Sequence, residues 1–415
     1  MKNIIFHIDI NSAFLSWEAV KQLKNGSGID IREIPSAIGG DREKRLGVIL
    51  AKSVPAKKRG VITGEPISTA LQKCPELVIF KPDFLLYERS SNAFMDICRQ
   101  YSPVVEKYSI DECFVDMSGT ERIFPDIIEV ANEIKNRIRD ELGFTANIGI
   151  SDTKILAKMA SDFEKPDKVH TLFSSEIQEK MWSLPIGSLF SIGGSTAEKL
   201  KAVGIDTIGA LARLDLRSVQ VLVGEKRGIQ IHQYANGIDD SFVSDVQEEA
   251  KGYSISVTLE KDISSEEEVE GVLLALADSV SARMRADKVQ AYSVGVTIRD
   301  TNFKDRSHQK KLDIPTDITS EIFKVAKALL LEFWDSNIPL RLVGISLTNI
   351  IKENELQVSA LDNSIQKERA RKLDKTIDSI RKQYGRSKIV RGVNYNSSLN
   401  VGKKYSAQIE NKSKK

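Results

Sequence analysis

YSIDECFVDMSG, residues 108–119, sets two adjacent acids, Asp111 and Glu112, inside an otherwise apolar, strand-like run. Ile110 precedes them, and Cys113, Phe114 and Val115 follow. A carboxylate among such neighbours is costly unless it is paired or bound to a cation. VVEKYSI before the acids and CFVDMSG after them read as the two arms of a hairpin. Adjacent residues of a regular strand face opposite ways, so Asp111 and Glu112 can serve one site only at a turn or bulge.

A third acid joins them from a distance in sequence. IIFHIDI (4–10) reads as a buried strand ending at Asp9, followed by a helix over 12–23 with apolar Phe14, Trp17, Val20 and Leu23 and Ser12 as its N-cap candidate. AIGGDREKRLGVILAKS (37–53) reads as a hairpin turning at Gly39-Gly40-Asp41. ISTALQKCP (67–75), FLLYERSSNAFMDICRQY (84–101), IFPDIIEVANEIKNRIRDELG (123–143) and KILAKMASDFEKPD (154–167) read as helices, and TANIGIS (145–151) as a strand. The order β, α, hairpin, α, β, α predicts an α+β sheet of the ferredoxin-like kind. The first strand and the hairpin can lie side by side in such a sheet, which brings three carboxylates to one edge. Hard oxygen ligands of this type suit Mg²⁺, and two such ions activate a hydroxyl and stabilise a leaving phosphate. Three surface acids at strand ends is the competing reading.

The character of the chain changes near residue 172. Residues 176–242 read as short helices joined by glycine turns. SISVTLEK, a helix over 265–287, AYSVGVTIRD, a helix over 318–335 and LRLVGISLTNI then read as a second α/β domain. From 353 the chain is polar, with a helix candidate at KERARKLDKTIDSIRKQYG, and its end is expected to be disordered. Residues 365–415 hold fifteen Lys/Arg against four Asp/Glu, which leaves about −9 for the rest of a chain whose net charge is +2. A solvated, mobile tail is the default reading of such a segment; contact with nucleic acid is the sharper one. Three scattered cysteines without a CxxC pair argue against a structural zinc site and for a reducing, cytoplasmic setting. The chain has no apolar run of membrane-spanning length and no secretory signal pattern at its start.

IDINSAF together with YSIDECFVD resembles the paired catalytic motifs of Y-family translesion DNA polymerases. GGDREKRLGVILAKSVPAKKRGVITGEPI resembles the fingers of that family, and IGISDTKILAKMASDFEKPD resembles the end of its palm. The resemblance runs in order over roughly residues 1–350. It implies a palm at 1–11 and 81–171, fingers at 12–80, an all-α helix–hairpin–helix thumb at 172–245, an α/β little finger at 252–352 and a flexible basic tail at 353–415. It implies a template-directed polymerase, with primer–template DNA and dNTPs as substrates and two Mg²⁺ ions held by Asp9, Asp111, Glu112 and the backbone carbonyl of Ile10. Phe14 falls at the position of the steric gate that excludes a 2′-hydroxyl, although packing of the 12–23 helix explains it equally. Ser53, Lys57 and Lys165 match nucleotide-binding positions. Val54 departs from the pattern, since many members bond the phosphates there through a tyrosine. Ala51-Lys52-Ser53-Val54-Pro55-Ala56-Lys57 is closer to the AxSxxAK pattern of polymerase V-like members, and the helix near 367–384 resembles those of Gram-positive bacteria and their mobile elements.

Gly39-Gly40-Asp41 also invites comparison with the GG(D/E)(D/E)F turn of diguanylate cyclases, but Arg42 and Glu43 follow where a second acid and Phe are needed. IGGSTAEKLKAVGI (192–205) and LVGEKRGIQI (222–231) resemble two copies of a helix–hairpin–helix, with Gly193, Gly194 and Gly224 as candidate DNA contacts through backbone N–H groups. Arg299, Lys304, Arg306 and Lys310 are phosphate-contact candidates in the second α/β domain. LQVSAL (356–361) resembles the QLxLF peptide that binds the sliding clamp, with Gln357, Val358 and Leu361 as its contacts and the terminal Phe missing. A monomer is expected. The rivals to a polymerase are a nucleotidyl cyclase on a related palm and a non-catalytic clamp- or DNA-binding relative.

Overall fold

The computed structural model describes residues 3–40, 47–246, 249–353, 364–385 and 388–389. They form two compact units that divide near residue 247.

The first unit opens with β1 (Ile5–Ile10), α1 (Ala13–Lys24), β2 (Ser36–Gly39), β3 (Ile49–Lys52), α2 (Val54–Lys58), α3 (Ile67–Lys73) and β4 (Val78–Phe80). It continues with α4 (Phe84–Cys98), β5 (Val105–Lys107), β6 (Glu112–Asp116), α5 (Ile127–Arg137), β7 (Ala146–Ser151), α6 (Lys154–Ser161) and β8 (Val169–Thr171). Its last part is helical: α7 (Ile177–Lys180), α8 (Gly194–Lys201), α9 (Ile208–Ala212), α10 (Leu216–Val223) and α11 (Glu225–Ala235). The larger sheet has the order β5-β6-β1-β7-β8, and a smaller one the order β3-β2-β4. All six residues of β1 are buried, which is why IFHIDI reads as a continuous apolar run rather than an alternating one. Strands β4 and β8, three residues each, were not expected, because so short a segment shows no periodicity.

Ser12 stands at the N-cap position of α1 but does not cap the helix. Its backbone is left-handed (φ 48°) and its side chain makes no capping bond. The chain turns sharply there to leave β1, and the Ser16 hydroxyl instead donates to Asn11 O at 2.7 Å. At the far side of the sheet α6 lies almost on the strand backbone. A Cβ at Gly149 would stand 2.0 Å from Ala157 O, so only glycine admits this approach. The consequence is that Lys158 is pressed against β1 and β6.

The second unit comprises β9 (Gly252–Ile263), α12 (Glu266–Ala286), β10 (Val289–Asp300), β11 (Asp305–Thr316), α13 (Thr319–Phe333), β12 (Leu340–Lys352) and α14 (Ser364–Tyr384). Its sheet is antiparallel in the order β11-β10-β12-β9. Strand β11, DRSHQKKLDIPT, was missed because it is an edge strand with both faces largely exposed; lysines on such an edge also discourage pairing with another chain. Helix α14 departs from the reading of the tail as merely solvated. Its inward stripe, Arg371, Asp374, Asp378 and Arg381, pairs with Asp317, Arg285, Arg285 and Asp278 in turn. No described helix is long and apolar enough to cross a membrane.

Candidate functional site

The pairing of β1 with β6 sets Asp9 directly opposite Glu112. Residues opposite each other in an antiparallel pair project to the same face. Asp111 lies just before β6, in a bend: Ser109 Oγ donates to its carboxylate at 2.6 Å, and Ile10 N donates to its carbonyl at 3.0 Å. The turn that the adjacent acids require is therefore present, and all three sit at one end of the β1–β6 pair.

The three acids are not in equivalent settings. Asp9 is only 8% exposed. Burial pushes its carboxyl up to about 6, against the pull of the Lys165 ammonium, and the charges of Glu112 and Asp111 add to the rise. Burial acts in the same direction on Glu112, but His7 and Lys158 overcome it and bring the carboxyl down to about 2. Lys158 Nζ donates to Glu112 Oε2 at 2.7 Å and lies 5.0 and 5.2 Å from the ring centroids of Tyr108 and Phe190. Burial lowers the basicity of His7, whose Nε2 is 3.7 Å from Glu112, so the lysine supplies the positive charge. Two environments thus push neighbouring carboxylates apart in acidity, as sites that divide chemical labour do.

A cavity of about 420 Å³ opens beside these acids. Asp9, Ile10, Phe14, Ser53, Lys57, Asp111 and Lys165, all named from sequence, line it; Glu112 lies behind them against Lys158. Among the described residues no group of three His, Cys, Asp or Glu side chains is gathered closely enough to hold a metal ion. Lys165 bonds Asp9 and also reaches Asp162 at 2.8 Å, so lysines occupy two of the three carboxylates. The donor chemistry nevertheless fits Mg²⁺: Asp9 and Asp111, with hard carboxylate oxygens, border one opening together with Ile10, and Asp9 carries more burial than its single lysine offsets.

Several assignments change. Ser53 lines the cavity, but its hydroxyl is fully used: it donates to Ile34 O at 2.7 Å and accepts from Ser36 N and Ala56 N at 3.1 Å each. Ser53 is a brace for α2, not a free ligand group. Lys165 is held on the acids rather than free for a phosphate. Lys52, passed over in the sequence, lines the cavity with Lys57; burial and then the Lys57 charge lower its basicity. Phe14 has a place in both the cavity and the core. It lines the cavity, and its ring also joins a cluster with Trp17, Phe84 and Tyr87.

Asn11 and Asn147 were missed as well. Asn147 donates to Ser161 O and Glu164 O at 3.1 and 2.6 Å, and Asn11 Oδ1 accepts from Asp167 N at 3.0 Å. These bonds tie the loop carrying Lys165 to the end of β1. A lone amide within the apolar TANIGIS was the available signal, since a buried amide needs such partners.

Gly193 caps α8, and Gly224, at φ 95°, joins α10 to α11; a Cβ at Gly193 or Gly194 would meet nothing within 4 Å. The remaining candidates belong to the second unit. Arg299 is already paired with Asp305, at 2.6 and 2.8 Å. Arg306 and Lys310 stand opposite Ile298 and Val294 of β10, on the sheet face that carries the hydrophobic core. The other face presents Ser254, Ser256, Gly295, Thr297, Gly344 and Ser346, small and mostly polar, with Lys311 at its edge. Lys304 follows the tip of the β10–β11 hairpin. Gln357, Val358 and Leu361 lie outside the described residues.

Comparison with known proteins now decides the family. Residues 8–162 match the model of the impB/mucB/samB family, 250–360 its C-terminal domain, and 187–239 the DNA polymerase-iota thumb domain. DNA polymerase IV of Clostridium acetobutylicum is 44% identical over 393 residues, covering 95% of this chain and 98% of that protein. The chain belongs to the Y family of DNA polymerases. DNA polymerase IV 1 of Bacillus subtilis is 36% identical over 94% of this chain and 92% of its own length. A solved Y-family DNA polymerase chimera shares the fold, with a TM-score of 0.73 at 22% identity over 84% of this chain and 99% of that one. The fold of the family is thus a mixed α/β body with a helix–hairpin–helix thumb and a C-terminal little finger. Both relatives carry the polymerase IV name, where the AxSxxAK pattern and the helix near 367–384 had pointed to polymerase V-type members.

Proposed function

We propose how this chain, by family a template-directed translesion DNA polymerase, divides the work of nucleotidyl transfer among its residues. The primer 3′-oxygen attacks the α-phosphate of a dNTP and pyrophosphate leaves. The observation that carries the reading is the convergence of Asp9 and Asp111 on one cavity with Lys52 and Lys57, with the Phe14 ring also in its wall. Polymerases of this family depend on a divalent metal. Asp9, Asp111 and Glu112, with the Ile10 carbonyl, would hold two Mg²⁺ ions, which supply positive charge at the reacting oxygens when bound.

The chain's own groups do the rest. Lys52 and Lys57 attract the triphosphate as point charges and take the share that Val54 cannot. Phe14 lies under the sugar and leaves no room for a 2′-hydroxyl. Lys158 holds Glu112 ionised. The five-stranded sheet and its helices serve as palm (1–11 and 81–171), residues 12–80 as fingers, 172–245 as thumb and 252–352 as little finger. The thumb glycines and the small polar face of the little-finger sheet meet DNA backbone without reading sequence. A sliding-clamp contact through LQVSAL rests on that motif's likeness alone, as do a monomeric state and a cytoplasmic location on composition.

Primer extension with Mg²⁺ tests the reading. Wild type extends a primer, and Asp111→Ala and Glu112→Ala do not while remaining folded. A wild type that extends nothing, or acid variants that extend normally, overturns it.

A further inference from the structure

A steric gate discriminates only if the ring that forms it cannot yield. A free aromatic side chain leans ~30° off its rotamer at a cost corresponding to roughly tenfold or less in a rate ratio. Phe14, half-buried at the start of α1, has freedom of this kind on its cavity side. Its other face is closed. The Tyr87 ring lies parallel to it, with centroids 4.4 Å apart and planes 9° from coplanar. Tyr87 is completely buried on α4. It is held in turn by Trp17, 5.7 Å away, and by Phe84, edge-on at 5.8 Å. Cores packed to this density pass a push on one ring straight to its neighbours.

The hydroxyl of Tyr87 does not explain the residue. It has no hydrogen-bond partner among the described residues, and neither do Trp17 Nε1 nor Ser91 Oγ, one turn along α4 from Tyr87. Burying an unpartnered hydroxyl is unfavourable. What the position uses is therefore the flat ring.

We propose that Tyr87 is a positioning residue for sugar discrimination: a rigid plate behind Phe14 that stops the gate from retreating when a ribonucleotide presses on it. The proposal rests on the reading of Phe14 as the gate. Tyr87 touches no substrate and acts only through Phe14. Tyr87→Leu keeps an apolar core but removes the parallel plate, so Phe14 gains room to tilt.

The test measures kcat/KM for the correct dNTP and the matching rNTP in wild type, Phe14→Ala, Tyr87→Phe, Tyr87→Leu and the double variant Phe14→Ala/Tyr87→Leu, with thermal unfolding alongside. Tyr87→Leu is expected to lower the dNTP/rNTP ratio by about tenfold, chiefly by raising rNTP use. Tyr87→Phe should keep the ratio within about twofold, because the ring stays. The double variant should be no more permissive than Phe14→Ala alone, the non-additivity expected of residues that act in series. A merely structural Tyr87 would lower use of both nucleotides and leave their ratio unchanged, which overturns the proposal. If Tyr87→Leu fails to fold, Tyr87→Met, with an unbranched chain that fills the space without a plate, carries the same expectation. An unchanged ratio in Phe14→Ala removes the gate itself, and is distinguishable from an unchanged ratio in Tyr87→Leu alone.

Discussion

Arg285 in the second unit and Asp9 in the first are both charges withdrawn from water, and the chain treats them in opposite ways. The Arg285 guanidinium, 3% exposed, faces Asp378 at 2.6 Å and Asp374 at 3.3 Å, and donates to Asp317 O at 2.7 Å. Burial works against its charge, yet these acids raise its basicity above the ordinary value. Asp9 has one lysine partner and two acidic neighbours, and its carboxyl stands well above the usual range, at about 6. In the first cluster each of these groups has an opposite charge beside it. The second is open and borders a cavity. Closure marks an ion network that holds structure, and imbalance marks one that awaits a ligand.

The largest expected effect follows from closure. Removing one partner of a buried pair leaves the other charge stranded, at a cost of about 3–5 kcal/mol. Arg285→Met and Asp374→Ala should each destabilise the second unit by that order in urea unfolding. Replacing Arg285, Asp374 and Asp378 together by apolar residues of similar volume should cost less than either single change. A single variant as stable as wild type would mean that α14 is not latched by this network. The matched family segment ends at residue 360, so α14, the latched helix, lies beyond it.

The open cluster predicts the reverse sign. Folding raises the Asp9 carboxyl from 3.8 to about 6, so the folded state holds the proton more tightly than the unfolded one. Stability from this group is therefore present below pH 3.8 and is lost as pH rises through about 6. In Mg²⁺-free buffer at neutral or higher pH, Asp9→Asn should stabilise the protein, by up to about 3 kcal/mol, while abolishing extension. Glu112 runs the other way: its contribution is present above pH 4.5 and fades as pH falls toward about 2. An Asp9→Asn variant no more stable than wild type at neutral pH would show that Lys165 balances the site after all.

Lys52 and Lys57 should matter less, because they are partly solvated. Lys52→Ala is expected to raise KM for dNTP about tenfold, some 1.4 kcal/mol, with kcat changed far less. A fall in kcat at constant KM would move Lys52 from binding into the chemical step.

The same contrast explains what could be read from sequence. Asp9, Asp111 and Glu112 stood out because acids interrupt apolar strands, and the strand order that aligns them follows from hydrophobic pattern. Lys158 and Lys52 did not, since a lysine on a helix or strand looks solvated until its neighbours are known. Burial of Lys158 depends on Gly149 and on rings from Tyr108 and Phe190, distant in sequence. Ser53 was over-read for the same reason: position in a motif does not say where a hydroxyl's bonds are already made. The α14 latch was invisible because Arg371, Asp374, Asp378 and Arg381 form a polar stripe, and a polar stripe ordinarily faces water.

The smallest effect concerns a third kind of cluster, exposed and closed. Arg299 and Asp305 pair at 2.6 Å, with side chains 37% and 52% exposed. Solvent screens such a pair, so it contributes little, and Asp305→Ala should barely change unfolding. Its effect on DNA is the informative one. While paired, Arg299 offers a phosphate little net charge; without Asp305 it becomes free to contact one. Primer–template affinity measured by fluorescence anisotropy should therefore rise a few-fold at low salt, and the gain should vanish as salt screens it. Arg299→Ala alone should leave affinity near wild type, because its charge is already spent. Were Asp305→Ala to bind no tighter at low salt, Arg299 would not face DNA, and contact through the second unit would fall to the small polar sheet face and Lys311.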